Sequence, residues 1–107
     1  MIDRRLVEIA PGRMKPFYKC SPVERRRAER ITDEKMALMD RWLSLLGEVD
    51  RHDDAARKAQ LPVPPLVRGS RATGSVPENA TLPQLRDDVR ALEQIVAALD
   101  EPAEPRR

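Results

Sequence analysis

Apolar side chains recur at helical spacing in two stretches of this chain, and the stretch between them breaks the pattern. Leu38, Trp42, Leu45 and Val49 follow one another at steps of 4, 3 and 4, and Ile31 lies one heptad before Leu38. Met39, Leu43 and Leu46 run beside them, which widens the apolar face enough to meet two neighbours. Ser21-Pro22-Val23-Glu24 marks the start, with Ser at the N-cap, Pro in the first turn and Glu placed to bond back to the cap amide. No proline follows until Pro62, so the pattern predicts a helix over about 22–59. A continuous helix of that length extends about 57 Å at 1.5 Å per residue. That exceeds the width of a compact domain of this size. Thr32-Asp33-Glu34 offers a second cap and Gly47 a weak point, so breaks are expected near 31 or 47.

The second periodic stretch is Leu85, Val89, Leu92, Val96 and Leu99, with Ile95 beside it. Its alternating steps of 4 and 3 are those of a coiled-coil seam. Thr81-Leu82-Pro83-Gln84 repeats the capping arrangement, and Pro102 and Pro105 end the run, which predicts a helix over about 82–100. So short a helix must pack on the first one or on its counterpart in another copy.

Between them, 61–80 is a connector in which Pro62, Pro64, Pro65 and Pro77 disfavour helix and Gly69, Ser70, Gly74 and Ser75 favour turns. Leu66-Val67 and Val76 suit the arms of a small hairpin around Gly69–Gly74. Ahead of the first helix, Ile2, Leu6 and Ile9 share one helical face, so a short helix over about 2–9 is expected before Pro11-Gly12 stops it. Residues 11–20 read as irregular. The fold class expected is all-α and oligomeric: two amphipathic helices joined by a Pro/Gly-rich connector. The chain divides into a basic arm (1–20), a helical oligomerisation domain (21–100) and a disordered charged tail (101–107).

Composition strengthens the oligomer reading, because 107 residues with three aromatics make a thin core. Leu38, Trp42, Leu45, Val49, Leu85, Val89, Leu92, Val96 and Leu99 are the expected interface between copies. The net charge of +2 conceals a gradient. Arg4, Arg5, Arg13, Lys15, Lys19, Arg25, Arg26, Arg27 and Arg30 crowd the first 30 residues against Asp3, Glu8, Glu24 and Glu29. Such a head suits nucleic acid or an acidic partner, or else is a solvated arm. Cations opening a helix oppose its dipole, so stability alone does not select Arg25, Arg26, Arg27 and Arg30. The competing reading is that Glu24, Glu29, Asp33 and Glu34 neutralise them locally. Phe17 and Tyr18 between Lys15 and Lys19 suit either stacking on bases or anchoring the arm.

Catalytic chemistry finds no footing. His52 is the only histidine and has no second soft ligand near it in sequence, so it reads as a packing or capping residue. Cys20 is the only cysteine and forms no internal disulfide, which suits a reducing compartment. Gly69-Ser70-Arg71-Ala72-Thr73-Gly74 lacks the Gly-Lys-Ser/Thr ending of a phosphate loop. No run approaches the ~20 apolar residues of a membrane span, and no secretion signal opens the chain. A non-enzymatic protein of the cytoplasm is expected, without cofactor, metal or small-molecule substrate.

Pro65-Leu-Val-Arg-Gly-Ser-Arg-Ala-Thr-Gly-Ser-Val-Pro77, followed by Leu82-Pro-Gln-Leu-Arg86 and Leu92 to Leu99, resembles the C-terminal half of phage terminase small subunits. The likeness covers about residues 61–102. It departs from the family where Pro77-Glu78-Asn79-Ala80-Thr81-Leu82 stands in place of Asn-Pro-Leu, and the family's N-terminal DNA-recognition region is not recognisable. The resemblance implies a homo-oligomer, in ring form, that binds double-stranded viral DNA and presents it to the large terminase subunit, itself performing no chemistry. The alternative expectation is a helical phage or prophage adaptor that binds another protein and not DNA.

Overall fold

The computed structural model describes residues 4–101. Two strands open it, β1 (Leu6–Ala10) and β2 (Arg13–Pro16), paired antiparallel. A single 3-10 turn (Phe17–Lys19) leads into α1 (Pro22–Arg51), and α2 (Ala55–Gln60), α3 (Pro65–Thr73) and α4 (Leu82–Asp100) follow. The protein is therefore mostly helical rather than all-α, because the N-terminal arm is a hairpin.

That hairpin replaces the helix expected over 2–9, whose first residues lie outside the described ones. Pro11-Gly12 does not stop a helix but turns a strand. Gly12 takes φ +77°, the left-handed value that a Pro-Gly turn requires at its second central residue. Ile9 has no partner of its own, since Glu8 faces Met14 and Ala10 faces Arg13. This bulge lets consecutive residues, Glu8 and Ile9, both be buried. It also erases the alternation by which the strand would have been read from sequence.

Both caps form as the sequence predicts. Glu24 N–H donates to Ser21 Oγ (3.2 Å) while Ser21 N–H donates to Glu24 Oε1 (2.9 Å). Thr81 and Gln84 exchange the same bonds at α4. Neither break expected in the first helix, near 31 or 47, occurs. Instead α1 stops at Arg51, and Asp54 starts α2 by accepting from Arg57 N–H (3.0 Å). The connector hairpin is likewise absent, because residues 65–73 are helical. Pro65 occupies the first turn, where its missing N–H costs nothing, and Gly74 closes α3 at φ +72°.

Glu34 pairs with Arg86 near the start of α4, and His52 with Asp100 at its end (2.9 Å), so α1 and α4 run parallel. Parallel neighbours need a return path, and α2, α3 and the turns around them supply it. The core lies along this pair: Trp42, Leu45 and Val49 of α1 meet Val89, Leu92, Ile95 and Leu99 of α4, and Val67 of α3 covers the seam. A smaller cluster, Ile9, Cys20 and Ala28, joins the hairpin to the first turns of α1. The molecule is a rod, 67 × 25 × 17 Å. Its radius of gyration of 17.5 Å exceeds the about 13 Å of a compact chain of this length.

Asp88, on α4, is buried and accepts from Trp42 Nε1–H (2.8 Å) and from the Leu66 amide (3.1 Å). One carboxylate thereby joins α1, α3 and α4. Replacing Asp88 by Ala leaves the buried Trp42 indole N–H and the part-buried Leu66 amide without their acceptor, at about 1–3 kcal/mol each; urea denaturation is expected to show a loss of about 2–6 kcal/mol. Leu92→Asp places a charge inside the same chain's core and is expected to remove the cooperative unfolding transition altogether, as followed by circular dichroism.

Candidate nucleic-acid interface

The nine cations that the sequence singles out are held in different ways. Lys15 is committed: its ammonium bridges both oxygens of Glu24 (2.9 and 3.0 Å). Arg25 lies over the Phe17 ring at 4.9 Å and Arg5 approaches the same ring at 5.9 Å. Phe17, half-buried between two guanidinium groups, thus anchors the 3-10 turn to the start of α1. Tyr18 stays exposed, with Lys19 over its ring at 5.6 Å. The two aromatics, adjacent in sequence, have separate roles.

Arg26, Arg27 and Arg30 project differently. Ala28 and Ile31 are the buried residues of this part of α1, so the side carrying Arg26 and Arg30 faces solvent, with Arg27 on its flank. Among the described residues, none of the ion pairs involves these three arginines. Two of the acids that might neutralise them are engaged elsewhere: Glu24 with Lys15 and the Ser21 amide, Glu34 with Arg86. Arg13 follows Gly12 at the turn end of the hairpin, beside Pro83 of α4, whereas Arg5 and Arg25 meet at its open end. Arg4 and Lys19 are exposed near that open end. The nine therefore form no single patch. The coherent cationic surface is the outer face of α1 at Arg26, Arg27 and Arg30.

The nine apolar residues expected between copies are placed within one chain. Trp42, Leu45, Val49, Val89, Leu92 and Leu99 are buried, and Leu38 and Val96 half-buried, in the packing of α1 and α4, and Leu85 of α4 is buried as well. The part of α1 left uncovered is a different stripe, where Met36 is 64% and Leu43 44% exposed beside half-buried Met39 and Leu46.

Sequence reasoning missed Glu8. It is buried at the bulge, where its carboxylate accepts from Gly12 N–H (2.8 Å) and from Leu82 N–H (2.9 and 3.0 Å), and pairs with Lys35 (3.1 Å). Leu82 opens α4, so Glu8 satisfies one of that helix's free amides and lies at the positive end of its dipole. Burial pushes the Glu8 carboxyl up, but the two amides and Lys35 outweigh it and hold the pKa below the ordinary 4.5. No local pattern signals such a residue, since its partners lie up to 74 positions away.

His52 caps the end of α1 and pairs with Asp100, and the Cys20 thiol, buried, donates to the Pro16 carbonyl (3.4 Å). Among the described residues no group of three His, Cys, Asp or Glu side chains is arranged to hold a metal ion. No helix among them is long and apolar enough to cross a membrane.

Glu24 is also lowered, to about 2, chiefly by the Ser21 amide and then by Lys15. Both carboxyls have folded-state pKa values below their unfolded ones. Their contribution to stability is present above the unfolded value of about 4.3 and is lost as pH falls through the folded values. Acid titration of Glu8→Gln is expected to give a shallower loss of stability below pH 4.5 than wild type, read as the pH dependence of the urea midpoint.

Compared with protein-family models, with curated proteins and with solved structures, the chain matches none.

Proposed function

We propose that this protein is a non-catalytic DNA-contacting subunit of the phage terminase small-subunit type, acting as a homo-oligomer that presents viral DNA to a large subunit. The reading rests on one observation above the others: Arg26, Arg27 and Arg30 stand on the solvent face of α1 without ion-pair partners. Three guanidinium groups so near the start of α1 oppose that helix's dipole and are of the kind that neutralises backbone phosphates. They project from an elongated body, 67 Å long, well away from the α1–α4 core. The resemblance of residues 61–102 to terminase small subunits supplies the biological setting. No side chain in this setting performs covalent chemistry; binding is electrostatic and read from the phosphate backbone.

A second reading, an adaptor that docks on another protein and ignores DNA, is favoured by exposed Met36 and Leu43. Fluorescence anisotropy with a duplex at several salt concentrations, combined with light scattering, separates the two. The DNA reading expects an oligomer whose affinity falls steeply with salt. Replacing Arg26, Arg27 and Arg30 by Ala is expected to reduce the salt slope by about 2–3, at about 0.9 per phosphate contact, without changing the unfolding midpoint beyond error. An unaltered slope would remove this face from the interface, and a monodisperse dimer indifferent to DNA would leave the adaptor.

A further inference from the structure

The return path between the parallel helices does more than connect them. Where α2 and α3 cross the lower half of the α1–α4 pair they line a half-open cavity of about 360 Å³. That lies at the small end of the range of ligand pockets, about 300–1,000 Å³. Its floor is aliphatic, formed by Val49, Val67, Leu92 and Ile95 of three helices, and Leu61 and Val63 complete the wall. No aromatic side chain enters the lining, so the cavity has no platform for a planar ring.

Polar groups reach it only from the edge. Lys58, on the last turn of α2, is half-buried there and has no ion pair or hydrogen bond from its ammonium among the described residues. Arg71 of α3 stands on the same rim and faces Asp50 across 3.6 Å, a loose pair with both side chains more than half exposed. The rim therefore carries two cations against one acid. The element that roofs the cavity is weakly held: α2 buries no residue, and its main tie is Arg57, which donates to the Leu99 and Glu101 carbonyls (3.3 and 2.9 Å) at the end of α4.

We infer that this cavity binds an unbranched aliphatic carboxylic acid of medium chain length, its hydrocarbon on the Val49–Val67–Leu92–Ile95 floor and its carboxylate between Lys58 and Arg71. An aliphatic lining of this size suits a hydrocarbon chain. The unpaired ammonium and the loosely engaged guanidinium select a single negative charge at its end. Its volume is that of a small-molecule site. The site is independent of the arginine face, because residues 46–50 of α1 lie some 20 positions, roughly 30 Å at 1.5 Å per residue, from Arg26–Arg30.

Isothermal titration calorimetry of the full chain with hexanoate, octanoate, decanoate and decanol tests the inference. Decanoate is expected to bind, with affinity rising about fourfold per added methylene along the acid series, and decanol to bind more weakly. Lys58→Glu is expected to weaken decanoate about tenfold or more, as loss of a charge-assisted bond implies, while leaving decanol unchanged. Ala59→Trp, which fills the mouth from a helix that buries nothing, is expected to abolish binding of both with the circular dichroism spectrum retained. Absence of decanoate binding to the wild-type chain overturns the inference. So does equal affinity for acid and alcohol, or binding that survives Ala59→Trp.

Discussion

The structure depends most on the carboxylate of Asp88. Two of the molecule's constraints meet there: an indole N–H that a fully buried Trp42 must satisfy, and the amide of Leu66 in the first turn of a helix whose N-cap residue, Pro64, offers no side-chain acceptor. Burying an indole against α4 without an acceptor leaves a donor stranded; burying an aspartate without donors is worse. Together they fix the rotation of α1 against α4 and the height at which α3 crosses them. The apolar contacts around Trp42 supply most of the free energy of burial. The hydrogen bonds decide which of the many ways of packing two apolar stripes is the one adopted.

Glu8 does for the N-terminal hairpin what Asp88 does for the connector. Each is a buried acid that accepts a backbone amide from the start of a distant helix, Leu82 in one case and Leu66 in the other. The hairpin is thereby clamped at both ends, by Glu8 on α4 and by Phe17 between Arg5 and Arg25. With the inner side of α1 occupied in this way, Arg26 and Arg30 have only solvent to face. The cationic surface is a consequence of where the hairpin sits.

Legibility in the sequence followed the range of the interactions. Ser21-Pro22-Val23-Glu24 and Thr81-Leu82-Pro83-Gln84 are complete within four residues, and both caps form as written. The 4-3-4 spacing located the buried faces of α1 and α4, because periodicity is a local property. It did not say whether those faces meet within one chain, since an apolar stripe is the same to either partner. The connector misleads for a definite reason: in sequence Pro65 and Gly74 read as breakers inside a segment, whereas they are the first-turn and closing residues of α3. β1 was hidden by the bulge at Ile9, which places two neighbouring residues on the inside. Of the candidate site, the arginines of α1 were visible as a cluster. Which of them remain unpaired was not, because Lys15 and Arg86 draw Glu24 and Glu34 away from positions fixed only by the tertiary fold.

The parallel course of α1 and α4 has a kinetic corollary. Every layer of the core awaits α4: Trp42 its acceptor, the hairpin its Leu82 anchor, α3 its support. At roughly 5–20 residues per second of synthesis, the apolar face of α1 is complete for roughly 2–10 s before α4 exists to cover it. Contacts spanning 46 and 74 positions also raise the entropic cost of loop closure, which slows the docking of α4. During that interval the uncovered α1 presents to any neighbouring chain the same surface it reserves for its own α4, and the concentration of nascent copies decides how often the two pairings compete.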